Sequence, residues 1–295
     1  MLLAINPRAR KGPAADAALR AALVARGHTV LDVPLDRDAV FADAVHHRHA
    51  EIEVAVVGGG DGTLLRVLPA LVETKVPVVI VPLGTFNELA RTLGMPSDPD
   101  LVAALVDEGV PLALDVGRVN DAYYLNEASV GLSTRVTELQ TPLLKRALGL
   151  FAIPVATVRA LRWWRPMRLE IEDDQGQRHT VRAVQLTVAN SYRFGGVVEN
   201  PEASLEDGQL WLYALDVRGW WDALRIVFAV AAHRLHRAPR VETLRGTHFR
   251  VRSLRGRHHH VYADSEKVGR LPAEFRVMPH ALTVLVPASR VPAIR

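Results

Sequence analysis

The chain contains no cysteine. Disulfides and thiolate metal sites are therefore excluded, and a reducing compartment suits the composition. It also lacks a long apolar run. The run after Met1 covers only Leu2-Leu3-Ala4-Ile5 and follows no basic region, so it reads as a buried strand and not as a signal peptide. The longest apolar helical candidate, Gly219 to His233, carries Asp222 and Arg225 and is too short to span a bilayer. We therefore expect a soluble, cytoplasmic protein, with peripheral attachment at the inner membrane surface left open. Internal repeats and low-complexity tracts are missing too.

An acidic surplus is likewise absent. Lys and Arg number 36 against 32 Asp and Glu, and arginines thicken from Arg234 to Arg257. Such a face suits nucleotide phosphates, anionic lipid or nucleic acid, and equally a solvated surface. No nucleic-acid recognition motif accompanies it, so no nucleic acid is expected. What is present is an ordinary globular balance, 49% hydrophobic and 23% charged, and a length of 295 residues that suggests two domains.

Residues 1–117 alternate strand and helix. Strands are predicted at Leu2–Ile5, Thr29–Val33, Ile52–Val57 and Val76–Val81, with helices at Ala14–Arg26, Thr63–Leu71 and Phe86–Leu93. Near-continuous apolar strands separated by helices indicate an α/β domain with a parallel sheet. From residue 118 the pattern becomes mainly antiparallel. Strands are predicted at Ala122–Asn126, Met167–Glu172, Val181–Ala189, Gln209–Leu215, His248–Arg252 and Ala281–Val286, with a hairpin loop at Asp173–Gln177. Helical insertions are expected at Ser133–Trp164 and Trp220–His236. The fold expected is an α/β domain with a parallel sheet (1–117) followed by a mainly antiparallel β-sandwich domain with helical insertions (118–295).

The strongest local signal is Gly58-Gly59-Gly60-Asp61-Gly62-Thr63 between a strand and a helix. Glycines let the backbone approach a phosphate closely, and the amides of the following helix start favour negative charge. An aspartate there makes sense facing Mg²⁺ that bridges phosphate oxygens. The competing reading is a tight turn with Asp61 or Thr63 as helix cap, but so many glycines exceed what a cap needs. Neither a Walker loop nor a GxGxxG pattern is present. A second turn, Pro82-Leu83-Gly84-Thr85-Phe86-Asn87-Glu88, also joins strand to helix. Both would open at the carboxyl ends of parallel strands, where ligands bind in open α/β sheets. A third loop, Asn6-Pro7-Arg8-Ala9-Arg10-Lys11-Gly12, adds positive charge suited to a triphosphate.

With these three loops in hand, the sequence resembles the catalytic domain of diacylglycerol kinases, sphingosine kinases and their bacterial lipid-kinase relatives. The family's Asn-Pro, Gly-Gly-Asp-Gly-Thr and Pro-x-Gly-Thr-x-Asn-Asp elements stand here as Asn6-Pro7, Gly59–Thr63 and Pro82–Glu88. Further matches follow in order: Leu125–Gly131, Asn190, Gly195-Gly196, Pro201–Ala203, Leu205–Leu210 and Tyr262–Glu266. Two positions depart from the pattern. Glu88 replaces an aspartate, and Ser265 replaces the glycine of Asp-Gly-Glu.

The resemblance implies an ATP- and Mg²⁺-dependent kinase acting on a lipid hydroxyl. It assigns Asn6, Arg10, Gly59, Gly60, Gly62, Thr63, Gly84, Thr85 and Asn87 to nucleotide binding. Asp61 would orient Mg²⁺ or the phosphates, and Glu266, with Asp264 beside it, would be the general base or a metal-side carboxylate. A structural Mg²⁺ would take the carbonyls of Ser204 and Leu210 and the carboxylate of Asp207; an ordinary Asp-Gly turn explains those residues equally well. The partners implied are ATP and a lipid at a membrane surface, with a homodimer left open. Two rival readings stand beside it: a small-molecule kinase of the NAD kinase type, and a lipid- or nucleotide-binding regulator of weak activity.

Overall fold

A computed structural model describes residues 1–9, 12–35, 38–132, 166–194, 198–256 and 258–290. The chain divides into two compact units. One comprises Met1–Val116, Ser204–Asp207 and Met278–Arg295; the other comprises Gly117–Ala203 and Gly208–Val277.

In the first unit the sheet runs in the order β2 (Leu31–Asp32), β1 (Leu2–Ile5), β3 (Ala55–Gly59), β4 (Val78–Pro82). All of these pairings are parallel. The closing strand of the chain then joins β4, also in parallel, with Val284 opposite Val78. Every residue of β1 and β3 is buried, the expected condition of parallel strands covered by helices. Helix α1 (Gly12–Ala25) packs on α5 (Pro99–Glu108), and α2 (Asp38–Arg48) packs on α3 (Asp61–Thr74). Asp98 starts α5, its carboxylate accepting from the amides of Asp100 and Leu101 with Pro99 at the first helical position. Two late segments belong here through buried Asp115. Its amide donates to the Leu205 carbonyl at 2.7 Å, and its carboxylate accepts from the His280 amide at 2.9 Å.

Among the described residues, the strand pairings of the second unit are antiparallel. One sheet orders β14 (Val241–Gly246), β13 (Leu210–Leu215), β10 (Gln185–Ala189), β7 (Glu127–Gly131), β16 (His260–Ala263) and β17 (Glu266–Arg270). A second layer carries β9 (Arg178–Ala183), β8 (Met167–Glu172), β15 (His248–Ser253) and the residues Ala273–Val277 of the last strand. Between them lies an apolar core that includes Val130, Leu169, Ile171, Leu186, Leu212, Phe249 and Phe275. This is the sandwich expected of the second region.

The sequence reading runs Val181–Ala189 as one strand, but the structure breaks it at Val184. Arg178–Ala183 pairs with β8 in one layer, and Gln185–Ala189 pairs with β7 and β13 in the other. Alternation of apolar residues continues through such a sheet switch, so periodicity alone does not reveal it. The expected insertion Trp220–His236 holds a helix, α6 (Trp220–Ala231), followed by a short 3-10 turn at Leu235–Arg237. The insertion Ser133–Trp164 lies outside the described residues. Among the described residues, no helix is long and apolar enough to cross a membrane.

Candidate active site

The glycine-rich turn leaves β3 and enters α3, and the second turn leaves neighbouring β4 and enters α4 (Glu88–Thr92). Both therefore stand at the carboxyl ends of adjacent parallel strands. The two turns touch. A Cβ added at Gly60 would sit 3.1 Å from the Cα of Gly84, and one added at Gly84 would collide with Gly60 and lie 2.7 Å from the Asn87 Oδ1. Neither glycine has a positive φ. Closeness of the backbones, and not a left-handed conformation, is what requires glycine at both places.

Asp61 ties the turns together. It is the first residue of α3, and its Oδ1 accepts from the amide of Glu88 at 2.7 Å, where α4 begins. The same carboxylate thus caps the next helix while sitting in the turn. Asn87 occupies the left-handed region at φ 48°, which asparagine tolerates. Its side-chain oxygen accepts from the Gly84 amide at 2.8 Å, and its Nδ2 donates to the Gly84 carbonyl at 2.9 Å. Asn87 therefore shapes its own turn. Thr85 is exposed at the tip, and Phe86 beside it is 68% exposed.

Asn6 closes the third side. Its amide donates to Gly58 at 2.8 Å, and its Nδ2 donates to the Oγ1 of buried Thr63 at 2.8 Å. The first loop is thereby locked against the start of α3. Of the remaining assigned residues in this unit, Gly59 is buried at the end of β3 and Gly62 is exposed in the first turn of α3. Arg10 lies outside the described residues. Gly59, Gly60, Asp61, Leu64, Asn87 and Ala90 line a narrow cavity at this point.

In the second unit, Asp264 and Ser265 form the two-residue turn between β16 and β17, with φ values of 42° and 74°. Two consecutive positive φ angles mark a type I′ hairpin turn, for which Asp-Gly is a preferred pair. The Asp264 carboxylate accepts from the amides of Leu125 at 2.6 Å, Asn126 at 3.0 Å and Glu127 at 2.9 Å. Its own amide donates to the Glu127 carbonyl. Asn190 supports the same segment, its Nδ2 donating to the Leu125 carbonyl and its amide to the Asn126 carbonyl. Glu266 is exposed, and its side chain makes no ion pair or hydrogen bond with the described residues. Its carboxylate is open to solvent.

Two buried groups beside this turn are given no site role by the sequence, although Asn126 stands in the matched Leu125–Gly131 stretch. Asn126 is 4% exposed, and its side-chain oxygen has no partner among the described residues. Tyr124 is wholly buried, its hydroxyl likewise without a partner among them. Burial, reinforced by the charge of Asp264, pushes the Tyr124 phenol well up. Nothing in the local sequence distinguishes either group from ordinary strand residues, because the carboxylate beside them comes from far along the chain.

Of the residues assigned to a structural metal, Ser204 and Asp207 lie in the first unit and Leu210 opens β13 in the second. The Ser204 hydroxyl accepts from the Glu206 amide at 3.2 Å. Among the described residues, no three Asp, Glu or His side chains gather as a metal cluster.

Comparison with known proteins bears on the family and the fold. Residues 1–119 match the diacylglycerol kinase catalytic domain, and residues 126–286 match the YegS C-terminal NAD kinase beta sandwich-like domain. A diacylglycerol kinase of Bacillus subtilis is 29% identical over 249 residues, covering 81% of this chain and 80% of that one. A Klebsiella pneumoniae protein described as a YegS-like lipid kinase is 34% identical over 169 residues, 55% of each chain. A solved structure of a diacylglycerol kinase from Bacillus anthracis str. Sterne has the same fold, with TM-score 0.78 and 20% identity over 98% of each chain. A second structure from that organism reaches TM-score 0.82 at 20% identity, over 98% of this chain and 96% of that one. The chain belongs to the diacylglycerol kinase and YegS-like lipid kinase family. It is accordingly a lipid kinase in class, a phosphotransferase with an alcohol group as acceptor.

Proposed function

We propose that the protein transfers the γ-phosphate of ATP, with Mg²⁺, to a hydroxyl of a diacylglycerol-like lipid. The observation that carries this reading is the pair of glycine turns held against each other by Gly60, Gly84 and Asp61 at the ends of two parallel strands. Backbone brought this close, beside a helix start, suits a polyphosphate better than any side-chain pocket would. In this proposal residues 1–117 form the nucleotide-binding region, and residues 118–295 serve the substrate.

The residues fit Mg²⁺ in kind. Asp61 and Glu266 offer carboxylate oxygens, and Ser204, Asp207 and Leu210 offer two carbonyls and a carboxylate, all hard oxygen donors. When bound, the ion would neutralise charge on the phosphates and on the leaving group. Asn6, Thr63 and the turn glycines fix the shape of the phosphate cradle, with Gly62 and Thr85 at its edge; the family pattern alone adds Arg10 to the nucleotide-binding set. Asp61 keeps one oxygen on the Glu88 amide, and its carboxylate would help hold the cation. Glu266 receives the proton of the attacking hydroxyl, a role that needs no strong base when charge is already neutralised. We give Asp264 the role of holding the hairpin that presents Glu266, since its carboxylate already accepts from three backbone amides.

The test is an incubation with γ-labelled ATP, Mg²⁺ and a panel of detergent-dispersed lipid alcohols. NAD is included because the matched sandwich is described as NAD kinase-like. Label in a diacylglycerol supports the proposal. Label only in NAD transfers the assignment to a small-molecule kinase, and ATP binding without transfer to any acceptor favours the regulator reading.

A further inference from the structure

Helix α6 presents two different faces. Ile226 and Ala229 pack inward on the buried cluster of Trp211, Tyr213, Leu235 and Ala238. Trp221 and Phe228 point outward, 58% and 65% exposed, with exposed Arg225 between them. At about 100° per residue, positions 221, 225 and 228 fall within an arc of roughly 60°. The outward strip is therefore aromatic–basic–aromatic, where a helix serving only the core would be polar.

The acids around this strip are already engaged. Asp222 is paired with Arg240 at 3.2 Å, and Asp216 with Arg218 at 2.7 Å. Arg225 and Arg234, both exposed, make no ion pair with the described residues. The net charge offered to a partner is positive.

We propose that this outer face of α6 docks on an anionic phospholipid surface. Exposed tryptophan and phenylalanine enter the headgroup–acyl boundary, and arginines beside them meet anionic headgroups. A second copy of the chain suits the strip less well. Two aromatic side chains cover roughly 400 Å², well short of the ~800 Å² per partner of a standard stable interface. The helix is too short to span a bilayer, so the contact is peripheral. This inference deepens the lipid-kinase reading by saying how the chain reaches an apolar substrate, yet its test requires no turnover.

The test is co-sedimentation of the full chain with phosphatidylcholine vesicles, with and without phosphatidylglycerol, for the unaltered protein, Trp221→Ser/Phe228→Ser and Arg225→Glu. The expected result is binding that depends on phosphatidylglycerol and weakens with salt. The double variant should lower it about tenfold, and Arg225→Glu about fivefold or more. Circular dichroism melts should be unchanged, because the altered side chains are exposed. Phosphorylation of a water-soluble short-chain diacylglycerol should also be unchanged in the double variant. Vesicle binding lost in the variants supports the docking face even if no lipid is phosphorylated, which would sink only the kinase reading. Undiminished binding by the double variant, or equal binding to uncharged vesicles, would overturn the inference. So would a dimer that the double variant splits, since the face would then belong to a second copy.

Discussion

Ser265 occupies a backbone conformation that favours glycine, φ 74° next to Asp264 at φ 42°. A left-handed position costs an ordinary residue about 1–2 kcal/mol, part of which glycine gives back through its freer unfolded chain. Ser265→Gly should therefore stabilise the protein by about 0.5–1 kcal/mol, read as a rise of a few degrees in the thermal midpoint; a fall would show the turn to be of another type. Its neighbours divide sharply. Asp264→Ala strips an acceptor from three backbone amides and should cost about 2–4 kcal/mol. Glu266→Gln alters an exposed side chain and should leave the melt within about 0.5 kcal/mol while transfer is lost. Equal melting of these two variants would refute the separation of holding and reacting roles.

Between elements, contact of the two glycine turns is the feature most open to attack. Gly84→Ala places a methyl into the Gly60 backbone, whereas Gly60→Ala meets Gly84 at 3.1 Å. The first should cost about 1–3 kcal/mol and the second less, measured by chemical denaturation; the reverse order would contradict the geometry. On the outer layer of the sandwich, the Glu274 carboxylate accepts from His248 Nε2 at 2.6 Å, Arg250 Nε at 3.2 Å and an Arg276 guanidinium nitrogen at 2.7 Å. Arg276 chiefly, then His248 and Arg250, hold the Glu274 carboxyl down to about 2 against the cost of partial burial. Its contribution is present above the unfolded value near pH ~4.3 and is lost as pH falls toward about 2. A Glu274→Gln variant should therefore show a shallower loss of stability across that interval than the unaltered chain, with the two curves parallel above pH ~5.

The same scale shows what sequence could reveal. Buried parallel strands and both strand–turn–helix junctions are legible because β1, β3 and β4 are apolar, with β3 ending in Gly59 and β4 in Pro82. Strands Val241–Gly246 and Glu266–Arg270 were not read, and they are the two edges of their sheet, where charged side chains blur alternation. Helix Asp38–Arg48 hides for another reason, since its buried apolar anchors, Phe41 and Val45, stand among Val40, Ala42 and Ala44 and do not form a distinct apolar stripe. Helix Pro99–Glu108 carries a sequence signal of its own, an aspartate cap followed by proline and closed by Gly109. At the candidate site, the glycines were legible as a group but their reason was not. Sequence suggests close approach of the backbone to a phosphate, and the structure shows two backbones in contact with each other. Capping of α4 by Asp61 was invisible, because it joins residues on different turns.

For the molecule as a whole, the account rests on one residue serving two purposes. Asp61 holds the start of α4 with one oxygen and, in the proposed mechanism, faces the cation with the other. Asp61→Asn preserves an acceptor for the Glu88 amide while removing the charge, so fold and chemistry can be separated in one protein. The most direct measurement is transfer of label from γ-labelled ATP to diacylglycerol by the unaltered chain and by Asp61→Asn, with both melts recorded. The account predicts melting within about 0.5 kcal/mol and transfer reduced at least about a hundredfold. Asp61→Asn that transfers phosphate at the unaltered rate would contradict the assignment of this carboxylate to the reaction.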